Sequence, residues 1–239
     1  MLWTVELLLG LGLLAMAVTL AVVALMAFAG YWKADSVALA LSHARPADPH
    51  EHARLHNVVE GLCVAAGLRK PAVYLVDDDA PNAFAVGRGP RHASVAVTTG
   101  LLERMSRIEL EGILAHELTH GKSYDVLVSG LAVVFVGLPL LVAGPAAARA
   151  LALAVGPRRE ALADFGGVQL TRYPPGLVAA LEKVRDHPAV VRSGSRAIAH
   201  LWIESPVART AGDGRLPSRD RLFDTHPPLE DRIQALKEL

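Results

Sequence analysis

The 239 residues carry 24 Lys plus Arg against 24 Asp plus Glu, a balance that offers no basic face to nucleic acid and no acidic, solvating tail. A hydrophobic fraction of 52% and a mean hydropathy of +0.33 exceed those of an average soluble domain, so segments in lipid are expected in a chain of a length that suits one catalytic domain. The single cysteine, Cys63, excludes an intrachain disulfide, and its apolar neighbours make it core filler rather than a reactive thiol.

Taken in chain order, residues 7–30 contain no ionisable side chain, a helical length that crosses a hydrocarbon layer of about 30 Å. Positions 1–32 are therefore read as a membrane anchor and 33–239 as the domain it carries. A competing reading is a cleaved signal segment ending at Ala27-Phe28-Ala29; the lack of a preceding Lys or Arg and the length of the run disfavour it. Every Lys and Arg follows Trp32, which by the positive-inside tendency places the domain on the cytoplasmic side of the inner membrane.

Residues 43–56 form a polar, Pro-punctuated linker, and an amphipathic helix follows over 53–66, closed by Gly67 and Pro71. Three β-branched and aromatic runs, 72–76, 82–86 and 93–97, predict a small antiparallel sheet with a hairpin at Gly87-Arg88-Gly89-Pro90-Arg91. Thr98 or Thr99 caps a short helix from Leu101. Ser106 caps a longer one from Arg107, with Glu109 completing a capping box. That helix is expected to run on into the apolar stretch 126–141, which Pro139, Gly144 and Pro145 then break. Residues 177–186 read as a helix, 205–221 as a loop and 228–239 as a terminal amphipathic helix.

The longer helix holds His116-Glu117-Leu118-Thr119-His120. Histidines four apart project from one helical face, as two imidazoles must to share a metal ion, and Glu117 beside them can take a proton from water. A catalytic zinc wants a third protein ligand, yet no His follows at close spacing. A carboxylate on a later helix is expected instead. Glu160 supplies it, with Asp164 one turn on to hold a histidine N–H; the competing reading is a solvent-facing acid pair. His52, His56 and Glu60 share a similar spacing, but their polar neighbours mark a wet helix face. Because His120 and Glu160 must meet at one ion, the chain between them crosses a membrane an even number of times or not at all. Two crossings need roughly 40 residues. The apolar region is shorter, so a hairpin over 124–156 that dips into the bilayer or packs on its surface is expected.

Five motifs in order, Asn82-Ala83-Phe84-Ala85, Thr98-Thr99-Gly100-Leu101-Leu102, the His116–His120 motif, Glu160 with Asp164, and Thr225-His226-Pro227-Pro228 with Arg232, resemble those of the HtpX-like membrane zinc endopeptidases, a group that includes the CAAX prenyl protease. The likeness runs from about Pro71 to the C-terminus. It implies an α+β fold: a mainly helical, zincin-like (gluzincin) domain with a small antiparallel sheet. It implies one Zn2+ on His116, His120 and Glu160, Glu117 as general base, and Asp164 as partner to a ligand. It further implies that Asn82, Ala83, Phe84 and Ala85 form a sheet edge on which a substrate peptide lies as an added strand, and that His226 and Arg232 stabilise the oxyanion. Substrates would be polypeptides, membrane proteins among them, in quality control. Typical members have two spans before the zinc helix and two after; here one strong span precedes it. Competing functional readings are a non-catalytic membrane adaptor that keeps the fold and a metalloenzyme acting on a lipid amide.

Overall fold

Helix α1 (Leu13–Leu41) forms from small and aliphatic side chains with no breaker among them, and it is the one helix among the described residues long and apolar enough to cross a membrane. The structure is a computed structural model describing residues 12–133, 158–187, 191–192, 198–204 and 227–239. The helix does not stop at position 32. Leu13, Leu14, Leu25, Met26 and Phe28 are exposed along its first part, whereas Gly30, Ala34 and Ala38, four apart, make a flat stripe that buries against the domain.

Strand β1 (Arg45–Pro46) lies inside the stretch expected to be linker; a proline is tolerated there because β1 is an edge. Helix α2 (Ala53–Ala66) ends at Gly67, whose φ of 65° lets the chain turn back on the helix C-terminus. Strands β2 (Ala72–Val76), β3 (Ala83–Gly87) and β4 (Ala93–Thr98) follow as expected, and β3 and β4 pair as the antiparallel hairpin. The sheet itself is mixed rather than antiparallel. Its order is β1-β2-β4-β3, because β4 inserts between β2 and β3 and runs parallel to β2. The crossover turn is fastened by the buried Asp78, whose carboxylate accepts from the backbone N–H groups of Ala80 at 2.9 Å and Arg192 at 2.7 Å. Both faces of the sheet are covered, which is why its strands read as continuous apolar runs. Leu75, Ala83, Val95 and Val97 face the helical core, while Val76, Phe84, Val86 and Ala96 face Ala38, Leu39 and Trp202.

Thr98 caps α3 (Thr99–Arg104), and Ser106 with Glu109 forms the anticipated capping box on α4 (Arg107–Lys122). Contrary to expectation, α4 does not continue into the apolar stretch. Tyr124 adopts φ 64°, and a separate helix α5 (Asp125–Ala132) starts at an angle that returns Asp125 toward His120. Helix α6 (Arg158–Thr171) lies close on α4: a Cβ at Gly167 would stand 3.0 Å from the backbone N of His116. Helix α7 (Pro174–Asp186) approaches the other side of α4, where a Cβ at Gly112 would meet the Leu177 backbone at 2.7 Å. Helix α8 (Leu229–Lys237) buries Leu229, Ile233 and Leu236 on α6 and α7 and turns Arg232 inward. Most of the expected hairpin, the 205–221 loop and His226 lie outside the described residues.

Candidate metal centre

Two close-packed helices make the site. From α4, His116 and His120 turn their Nε2 atoms to within 3.2 Å of each other. From α6, the Glu160 carboxylate places Oε2 3.5 Å from His116 Nε2 and Oε1 3.4 Å from His120 Nε2. All three residues are buried, and their ligand atoms lie within 4.8 Å of one another. Tetrahedral bonds of about 2.0–2.1 Å require ligand–ligand separations of about 3.3–3.4 Å, so the donor set fits one such ion. The tautomers fit as well. His116 Nδ1 lies 2.8 Å from Asp164 Oδ1 and His120 Nδ1 lies 3.4 Å from Asp125 Oδ2, partners that suit a proton on Nδ1 and would leave each Nε2 lone pair to a metal ion.

Electrostatics in the metal-free chain follow from burial against paired charge. Burial favours neutral imidazoles, yet Asp164 and Glu160 outweigh it at His116 and push that ring above its ordinary value. At His120, burial is outweighed by Asp125 and Glu160, which raise it to about 9. Burial would raise Asp164, but Arg232 and His116 prevail and lower it to about 2. Burial lifts the Glu117 carboxyl above the usual carboxylate range, with only partial relief from the two histidines. A carboxylate so destabilised is a better proton acceptor near neutral pH.

Arg232, expected at the oxyanion, is tied into the carboxylates of the site. Its side chain is buried: Nε and Nη2 donate to Asp164 at 2.9 and 2.7 Å, Nη1 donates to the Ile203 carbonyl at 3.2 Å, and Nη1 lies 3.4 Å from Glu160. It stands behind Glu160 and, through Asp164, behind His116. Residues 83–85 lie on β3, an outer strand of the sheet, but its edge is not bare. Phe84 forms an antiparallel bridge with Trp202, the Ala83 carbonyl accepts from Ile203 N–H at 2.9 Å, and the Asn82 amide donates to the Glu204 carbonyl at 2.8 Å. His56 and Glu60 are engaged with the Ala47 carbonyl and Lys70 rather than with each other's neighbourhood as a metal pair, and Cys63 is buried in the core.

Sequence reasoning missed Asp125, Arg159 and the 201–204 segment. An acid five residues after His120 was visible, but nothing local indicated that the helix would break to bring it back.

A helix offering two imidazoles with a buried acid between them, completed by a carboxylate from a second helix and carried behind an apolar span, defines a membrane-associated metalloendopeptidase. The chain belongs to peptidase family M48, whose profile matches residues 49–239. It is similar to the protease HtpX homologs of Thermoanaerobacter pseudethanolicus (37% identity over 246 residues, covering 87% of this chain and 79% of the relative), Tropheryma whipplei (39% over 240 residues, 87% and 80%) and Dictyoglomus turgidum (34% over 258 residues, 95% and 83%).

Proposed function

We propose that this chain is a zinc endopeptidase of zincin-like fold, anchored in the inner membrane with its domain in the cytoplasm, and that it cuts membrane or misfolded polypeptides in quality control. The observation that carries this reading is the triangle of His116 Nε2, His120 Nε2 and a Glu160 oxygen, with Glu117 buried beside it. Two imidazoles and one carboxylate with a fourth position open suit zinc. When bound, zinc polarises the scissile carbonyl and acidifies the attacking water. Glu117 takes the proton from that water and delivers it to the leaving amine, a transfer favoured by its raised pKa. Asp164 and Arg232 hold His116 and Glu160 in place while this occurs. The similarity to protease HtpX homologs supports the proteolytic activity.

The substrate lies along β3. Its main chain takes the bonds that residues 203 and 204 now make with the Ala83 carbonyl and the Asn82 side chain. The chain's own segment, with its Ile203 carbonyl on Arg232, thus marks the path of a bound peptide and stands aside for one. The adaptor reading is disfavoured because a module that only holds peptides gains nothing from a destabilised carboxyl among metal ligands.

Zinc content of the purified chain, followed by chelator-sensitive cleavage of casein, tests the reading. The Glu117→Gln variant should keep its zinc and lose roughly 100- to 10,000-fold in cleavage rate. Undiminished proteolysis in that variant, or a chain that takes up no zinc, overturns it.

A further inference from the structure

The two metal histidines are backed by two separate acid–arginine pairs. On one side stand Asp164 and Arg232. On the other, Asp125 Oδ2 lies 3.4 Å from His120 Nδ1 and accepts from Ser123 Oγ at 2.9 Å, while Asp125 Oδ1 lies 3.4 Å from Arg159 Nε. Arg159 in turn donates through Nη2 to Ser129 Oγ at 2.9 Å and directly precedes Glu160 in the chain.

This second pair answers a physical problem. His120 lies in the last turn of α4, and Glu160 in the first turn of α6, forty positions later in sequence. Main-chain geometry within α4 sets the two histidines relative to each other, but it says nothing about where α6 begins. The break at Tyr124 turns the chain so that Asp125 starts α5 facing both His120 and Arg159. Its two carboxylate oxygens are divided between them. One oxygen therefore faces the ring of a ligand, and the other stands at ion-pair distance from the residue next to the third ligand.

We infer that Asp125 is a positioning residue for the metal: it orients the His120 imidazole and, through Arg159, registers the start of α6 so that Glu160 closes the site. The inference rests on the metal reading of the site. Loss of a carboxylate that orients a metal-bound histidine typically lowers metal affinity by roughly 10- to 100-fold. Serving two ligands places Asp125 within that range even though it touches no substrate.

The test uses the full-length chain in detergent, loaded with zinc or with cobalt as a spectroscopic probe. Asp125→Asn keeps the shape and removes the charge; it should retain the wild-type far-UV spectrum, bind zinc at least 10-fold more weakly, and change the visible cobalt absorption. Asp125→Glu should recover part of both. Arg159→Gln should weaken zinc in the same direction, and the Asp125→Asn/Arg159→Gln double variant should lose less than the two single losses combined, because the pair acts as a unit. Wild-type zinc affinity and cobalt spectrum in Asp125→Asn overturn the inference. So does a loss of affinity accompanied by loss of the wild-type far-UV spectrum. A wild-type chain that binds neither ion overturns the metal reading itself, and this inference with it.

Discussion

Arg232 and Asp164 form a two-pronged ion pair, Nε to Oδ2 at 2.9 Å and Nη2 to Oδ1 at 2.7 Å, with both side chains buried. The pair joins the last helix to α6, and Asp164 passes its grip on to His116 Nδ1 at 2.8 Å. A residue near the C-terminus thereby holds a histidine more than a hundred positions away.

Removing one half of such a pair strands a buried charge, at a cost of about 3–5 kcal/mol. Arg232→Ala should therefore lower the melting point of the metal-free chain sharply. Arg232→Lys should restore little, since an ammonium cannot bridge both carboxylate oxygens in one plane. The Arg232→Ala/Asp164→Ala double variant should be less destabilised than the sum of its parts. Melting points of the wild type, the two single alanine variants and the double variant decide the matter, and strict additivity would count against the pairing.

The pH response of the metal-free chain follows from the same contacts. His120 stands at about 9 when folded against 6.5 ordinarily, so its stabilising contribution is complete below 6.5 and disappears as pH rises to about 9. Asp164 stands at about 2 against 3.8, so its contribution is complete above 3.8 and disappears as pH falls through 2. Metal-free melting points should thus decline between pH 6.5 and 9. Zinc needs both rings deprotonated, so the melting-point gain on adding zinc should grow over that interval. A metal-free profile that stays level there would contradict the assigned contacts.

Occupation of the β3 edge by residues 201–204 makes a kinetic prediction. Ile203→Pro deletes the N–H that reaches the Ala83 carbonyl and leaves the Asn82 contacts to Glu204 in place. One hydrogen bond contributes about 1 kcal/mol, so the KM for a peptide competing for that edge should fall about 5-fold with kcat little changed. An unaltered KM in a folded variant would place the peptide elsewhere.

Trp202 sets the opposing constraint. Its indole is fully buried and packs edge-on against Phe84 with ring centroids 4.7 Å apart. Trp202→Ala should cost about 3–5 kcal/mol of stability through the cavity it leaves, measured by denaturant unfolding. A small loss would mean that the segment detaches from the core readily.

Much of this molecule is written in short-range pattern. The capping box at Ser106 and Glu109, the cap at Thr98, the exact run of α2, the β3–β4 hairpin and the one-face spacing of His116 and His120 all depend on residues within a turn or two of each other, where backbone geometry alone decides who meets whom. Glu160 was legible too, because a metal needs a third donor and few carboxylates stood at a suitable place. What only the tertiary structure decided was partnership across distance: β4 entering between β2 and β3, Arg232 turned onto Asp164, Asp125 brought back to His120 by the Tyr124 break, and the 201–204 segment laid on β3. The physical reason is that periodicity in a sequence records which face of an element is buried, whereas the identity of the neighbour against that face is settled by packing, charge pairing and close helix approach in the folded chain.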